Sequence, residues 1–203
     1  MNKVVVFDFD KTLTFKDTNL GFFKFAGREQ PLFVLKLVLY LLFSLFRKLK
    51  IVSNTRLKNL GLFLFFSKKT EIDIYILSMG YSKIIKLNDS VYDILLRHRK
   101  EKNRVIIATA SFTSYIKPIF PGIEVAGSEI DYTKTPIRLK THCFSQKKVE
   151  CLNLMGIDKI DILYTDSLSD LPMAEIANAI NLVKKNEIVL CKSVKDFIIA
   201  LEE

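Results

Sequence analysis

The chain is expected to be an α/β protein, a parallel sheet with helices on both faces plus an inserted α-helical cap, and three observations lead there. Segments apolar at almost every position recur at 3–7, 104–108, 122–126, 160–164 and 188–191 of the 203 residues, as strands covered on both faces require. Segments with helical spacing fall between them, at 90–101, 146–155, 168–177 and 194–201, so strand and helix alternate. Several of the strands end in acids or hydroxyls, and such sheets bind their ligands at the carboxyl ends of the strands.

The first strand carries the sharpest signal. Val4, Val5, Val6 and Phe7 lead into Asp8, Phe9 and Asp10, two carboxylates two residues apart at the end of a segment that is otherwise apolar. Alternate strand side chains share a face, so the two acids start on one side and converge where the chain leaves the sheet. A divalent cation relieves their repulsion, and hard oxygen donors of this kind suit Mg²⁺. The next strand is distant. Residues 15–88 form an interval of 74 residues, rich in Phe and Leu and helical in pattern from 20 to 66, too long for a simple crossover. It reads as a helical cap, 15–88, inserted into a core made of 1–14 and 89–203. The second strand, Arg-Val-Ile-Ile-Ala-Thr-Ala-Ser at 104–111, ends in the hydroxyls of Thr109 and Ser111. Residues 125–144 suggest a β-hairpin lying beside the sheet, with Pro136 near its turn. A helix then starts at Ser-Gln-Lys-Lys, 145–148, and the strand at 160–164 leads to Asp166. Asp170 lies one helical turn further on, where it can face the same site.

The sequence Phe-Asp-Phe-Asp-Lys-Thr-Leu-Thr at 7–14 resembles the first motif, Asp-x-Asp-x-Thr, of the haloacid dehalogenase-like (HAD) hydrolases. The strand ending at Thr109, a lysine at 147 or 148, and Asp166-x-x-x-Asp170 are similar to that family's later motifs, in order. The resemblance implies a Rossmann-like fold and a Mg²⁺-dependent phosphomonoesterase. In it Asp8 is the nucleophile, Asp10 the general acid and base, Thr109 a phosphate contact with Ser111 as runner-up, and a lysine the charge-neutralising group. Lys148 is favoured over Lys147 for its place four residues before Leu152. The chemistry is consistent: a carboxylate can attack phosphorus to form an acyl phosphate, and a second carboxylate can supply and remove the proton. The implied metal set is Asp8, Asp10 through its carbonyl, Asp166, and Asp170 as an outer ligand or an orienter of water. Thr12, Asp17 and Ser111 are carried as substrate-binding residues. Asp17 and Thr18 also read as a helix cap before an apolar run, and both readings stand. Thr165 departs from the family, many of whose members carry glycine there. The helical cap places the chain nearest the phosphoserine-phosphatase-like branch.

Charge is uneven. The chain carries +9 overall, and residues 15–88 hold 13 Lys or Arg against 4 Asp or Glu, while the remainder has 18 of each. Such a cap attracts anionic substrates or an anionic membrane surface; no nucleic-acid module is recognised, so no nucleic-acid partner is expected. Residues 32–46 hold one charge in 15 residues, about 22 Å of helix, short of the ~30 Å hydrocarbon core. They are either the core of an apolar cap or a surface resting among lipid headgroups. The expected substrate is a small or lipid-linked phosphate. The rival from another class is a non-enzymatic phospholigand or membrane-surface adaptor. Cys143, Cys151 and Cys191 are odd in number and scattered, which argues for a reducing compartment. The four apolar residues before Asp8 are too few for a secretory signal, so the expected location is cytoplasmic, at most peripheral at the inner membrane face.

Overall fold

The computed structural model describes residues 2–185 and 187–202. Its strands are β1 (Val4–Phe7), β2 (Arg104–Phe112), β3 (Glu124–Asp131), β4 (Arg138–Thr141), β5 (Ile160–Thr165), β6 (Ala177–Lys184) and β7 (Glu187–Cys191). They form one sheet in the order β4-β3-β2-β1-β5-β6-β7. The five inner strands are parallel, and the two edges, β4 and β7, run antiparallel. β1 therefore lies at the centre, between β2 and β5, where the order of connection reverses, the position at which such sheets open a ligand crevice.

The period-2 rule sorts the core. Val5, Phe7, Val105 and Ile107 point to one face, and Val6, Ile106 and Ala108 to the other. Helices α7 (Gln146–Leu154), α8 (Leu171–Glu175) and α9 (Val194–Glu202) cover the second face through Val149, Leu152, Met173 and Phe197. The first is covered by α5 (Asp89–Lys100), through Val91 and Leu95, and by the short α6 (Thr113–Ile116).

Between β1 and β2 lie four further helices: α1 (Thr18–Gly27), α2 (Phe33–Lys48), α3 (Asn54–Phe66) and α4 (Glu71–Ser82). The segment leaves and returns through adjacent strands of backbone, since Thr14 bridges Leu87 and the Asn88 N–H donates to the Leu13 carbonyl at 2.8 Å. Its interior is aromatic. Phe22, Phe23, Phe65 and Phe66 are buried and continuous with Phe112 and Tyr115 of the sheet region, and each such ring contributes roughly 1.5–3 kcal/mol on burial. α1 and α3 approach closely at Gly61, where a Cβ would stand 2.4 Å from the Phe23 ring.

Three expectations are corrected. The helix expected over 168–177 is a single turn at Leu168–Asp170 followed by α8, and at Ala177 the chain becomes β6, a strand that the sequence did not suggest. Pairing with β5 from Ile160 through Thr165 overrides the weak local preference. The strand expected at 122–126 begins two residues later and runs to Asp131. The hairpin at 125–144 is also part of the sheet, because β3 pairs with β2 and β4 forms the edge.

Candidate active site

A cavity of about 440 Å³ opens at the carboxyl ends of β1, β2 and β5. Asp8, Asp10, Asp166 and Lys148 line its core side, and Asp17, Tyr40, Arg47 and Lys58 line the side of the insertion.

Asp8 follows the last residue of β1, and its N–H still donates to the Tyr164 carbonyl of β5 at 2.9 Å, so the strand ladder fixes its backbone. Its Oδ1 accepts from Lys148 Nζ at 2.6 Å. Lys148 comes from the first turn of α7, on the buried stripe that includes Val149 and Leu152. The same Nζ lies 2.7 Å from Asp170 Oδ1, an ion contact off the hydrogen-bond direction. Burial alone disfavours the ammonium, yet the charges of Asp170 and Asp8 outweigh it and hold Lys148 above the usual lysine range. Burial pushes Asp8 well above the ordinary carboxylate range; Lys148 opposes this, and Asp170 and Asp166 add like charge. Lys147, by contrast, points outward and pairs with Glu150.

Asp10 sits in a different environment. It lies on the tight loop Phe9–Leu13, and its carboxylate turns to the start of α1. Oδ1 accepts from the Thr18 N–H at 2.7 Å and the Thr18 hydroxyl at 2.6 Å; Oδ2 accepts from Ser111 Oγ at 2.5 Å and Asn19 Nδ2 at 3.3 Å. Burial raises its pKa, Asp17 adds to the rise, and the bonds from Ser111 and Thr18 oppose it. The result is a carboxyl that keeps a proton more readily than an exposed one, as a general acid must.

Asp166 follows β5 and is half-buried. Burial lifts its pKa to about 6, with Lys11 opposing and Asp170 adding. Asp170 Oδ2 accepts from the Thr165 hydroxyl at 2.7 Å. Both Asp170 oxygens thus face protein groups, which makes it an anchor for Lys148; the departure at Thr165 supplies the donor that holds it. Oxygen donors with excess negative charge fit a hard cation. Asp8 and Asp166 are the core carboxylates left to hold one, because both Asp10 oxygens already accept from Thr18, Ser111 and Asn19, which leaves its backbone carbonyl to contribute. Among the described residues no cluster of three metal-ligating side chains is assembled, so any Mg²⁺ here relies on that carbonyl, water and substrate oxygens for the remaining positions.

The hydroxyls fall differently from expectation. Thr109 is fully buried and its Oγ1 accepts from the Ser111 N–H at 3.0 Å, while it is Ala110 that reaches the cavity wall. Ser111 serves Asp10. Thr12 is buried, and its hydroxyl has no partner among the described residues. Asp17 caps α1, accepting from the Asn19 N–H at 2.9 Å, and lines the cavity.

Lys58 and Lys11 are among the cavity residues that the sequence did not single out. Lys58, on α3, is buried; its Nζ donates to the Ala110 carbonyl and lies 5.1 Å from the Phe112 ring centre. Burial lowers its pKa to about 8, against the opposing charges of Asp10 and Asp17. The available signal was its place in the stripe Lys58, Gly61, Leu62, Phe65, where a lysine interrupts an otherwise apolar face. Lys11 lines the cavity with φ at +62°, in the left-handed region. A side chain there costs on the order of 1–2 kcal/mol, and such strain gathers at functional sites.

The family model for haloacid dehalogenase-like hydrolases matches residues 5–175, well over half of the chain. No curated protein sequence matches it closely enough to be called a relative. Among solved structures, a protein of unknown function from Bordetella pertussis Tohama I superposes with a TM-score of 0.72 at 17% identity, covering 86% of each chain. A phosphoserine phosphohydrolase-like protein from Francisella tularensis subsp. tularensis SCHU S4 gives 0.66 at 15%, covering 98% of this chain and 99% of that one. A phosphoserine phosphatase from T. onnurineus gives 0.60 at 16%, covering 100% and 95%. At these identities the likeness establishes the fold.

Proposed function

The chain belongs to the haloacid dehalogenase-like hydrolases, and on that premise we propose that it is a Mg²⁺-dependent phosphomonoesterase working through an aspartyl-phosphate on Asp8. The observation that carries the reading is the contrast between the two acids of the first motif. Asp8 is held against Lys148 at 2.6 Å, and Asp10 lies among donors from Thr18, Ser111 and Asn19. Two carboxyls held in different environments take different roles.

The Asp8 carboxylate attacks phosphorus, forming the O–P bond as the bond from phosphorus to the leaving oxygen breaks. Asp10 gives its proton to that oxygen. Water then attacks the acyl phosphate while Asp10 takes the water proton, and phosphate leaves with Asp8 restored. Lys148 offsets charge between nucleophile and phosphate without reorganising; Asp170 and Thr165 hold it in place. Mg²⁺ held by Asp8, Asp166 and the Asp10 carbonyl would neutralise phosphate oxygens.

Residues 15–88 act as the cap over a core of 1–14 and 89–203, hinged at the Thr14–Leu87 bridge. Closure excludes water and selects the leaving group. Lys58, Arg47 and Asp17 are the cap groups that meet it. The expected substrate is a small or lipid-linked phosphate, and the basic apolar insertion favours the amphiphilic kind.

Hydrolysis of p-nitrophenyl phosphate tests the reaction. EDTA is expected to abolish it and Mg²⁺ to restore it; full activity after exhaustive chelation overturns the metal assignment, and full activity of Asp8→Asn overturns the nucleophile. A panel of soluble and lipid phosphates then ranks substrates.

A further inference from the structure

The helix α2 has two working faces. Tyr40, Ser44 and Arg47, spaced four and three apart, line the catalytic cavity, and Tyr40 is the one buried residue of the 16. On the other side Val34, Leu35, Val38, Leu41, Leu42 and Leu45 are 71%, 63%, 56%, 44%, 46% and 52% exposed. These positions form a continuous strip at helical spacing, and Leu49 and Ile51 extend it past the helix end at 61% and 66% exposure. Isolated exposed apolar side chains are ordinary; a contiguous strip of this length marks an interaction surface.

Charge selects the partner. Between Glu29 and Glu71 the sequence has eight Lys or Arg and no Asp or Glu, and Lys48 and Lys50 stand exposed at the end of the strip. A second copy of the chain offers the same strip with the same cations and no acid to meet them. An anionic bilayer offers both an apolar layer and the opposite charge. Among the described residues no helix is long and apolar enough to cross a membrane, so the helix lies along the surface.

We propose that the outer face of α2 docks on an anionic lipid bilayer and holds the cavity mouth at the headgroup level. This deepens the phosphatase reading by naming where its substrate is met, and rests on it only for that purpose.

Sedimentation with vesicles tests the docking by itself, using the full chain and its Asp8→Asn variant, which reads binding whether or not the protein is a phosphatase. Both are expected to bind vesicles containing phosphatidylglycerol, to release as salt rises, and to ignore phosphatidylcholine alone. Each basic residue near the surface is worth about a fivefold change in binding. The pair Lys48→Glu and Lys50→Glu changes the charge by four units in all and is then expected to weaken binding by on the order of several hundredfold. Val38→Asp with Leu42→Asp is expected to abolish binding. Both double variants are to be shown folded by circular dichroism. No binding to anionic vesicles overturns the proposal, as does binding undiminished in both folded variants. A dimer in sedimentation velocity that Val38→Asp with Leu42→Asp dissolves, without vesicle binding, assigns the face to a second copy and overturns it equally.

Discussion

Replacing Lys148 by Met keeps most of the side-chain volume and removes the ammonium that stands between Asp8 and Asp170. The Lys148 side chain is 3% exposed, and those of Asp8 and Asp170 are 9% and 0%. Removing one partner from a buried ion pair costs about 3–5 kcal/mol, because the remaining charge has no compensation. At about 2–4 °C per kcal/mol for a chain of this size, melting should fall by roughly 6–20 °C near neutral pH. The pH dependence follows from the directions of the shifts. Lys148 is held above its ordinary 10.5, so its contribution is fully present below that pH. Asp8 is raised by burial and by the neighbouring carboxylates; protonating it relieves the crowding, and the deficit of the variant should narrow on acidification. Turnover should fall by on the order of 10²–10³-fold, the loss seen when one preorganised donor is removed. Lys147→Met is the control, since its exposed pair with Glu150 is worth at most about 1 kcal/mol. Thermal scans at acid and neutral pH, with steady-state hydrolysis, read both effects. Equal melting temperatures for the two variants, or equal small losses in rate, would refute the reasoning.

Asp10→Asn is expected to let p-nitrophenyl phosphate, whose leaving group needs no proton, load Asp8 and then stall; labelled phosphate should stay on the protein, and Asp8→Asn should remove the label. Gly61→Ala places a methyl 2.4 Å from the buried Phe23 ring, an overpacking cost of about 1–3 kcal/mol that the ~1 kcal/mol gain in helix propensity offsets only in part; a melting temperature above the parent's would contradict the packing. His142, whose Nδ1 lies 2.8 Å from the Thr55 hydroxyl on α3, has its pKa lowered from 6.5 to about 4 by burial and by Lys58. The unfolded chain therefore binds the extra proton first, and stability should drop as pH falls from about 6.5 towards 4. His142→Gln should flatten that part of the profile, and an unchanged slope in denaturant titrations would show that another group is responsible.

How legible each part was depended on how strongly a residue broke the pattern around it. Asp8 and Asp10 stood out because a strand buried on both faces has no other reason to end in two acids. The parallel sheet was legible for the same reason: Val4 to Phe7, Val105 to Ile107 and Ile162 to Tyr164 are apolar on both faces. β6 was not, because Asn178 and Asn181 dilute its apolar residues, and only the ladder to β5 makes it a strand. Lys58 was hidden because a lysine reads as solvated by default; its burial is created by the aromatic interior around it. The Asp10 cage was partly hidden too. Thr18 could be singled out locally, but Ser111 is 101 residues from Asp10, and no local pattern announces that contact.

The central position of β1 governs how the protein comes into being. Val5 pairs with Val105 and with Ile162, partners synthesised 100 and 157 residues after it. Such long-range pairing is slow, and a ribosome adds about 5–20 residues per second. The nascent Val-Val-Val-Phe segment therefore waits for seconds without either neighbour, as an unpaired apolar strand of the kind that chaperones shield. The Asp8 N–H finds its partner, the Tyr164 carbonyl, only when β5 arrives, so a shortened product ending before Ile160 lacks the bond that fixes the Asp8 backbone. A fragment of that kind would be a substrate for proteolysis, and the chain acquires its chemistry late in its own synthesis.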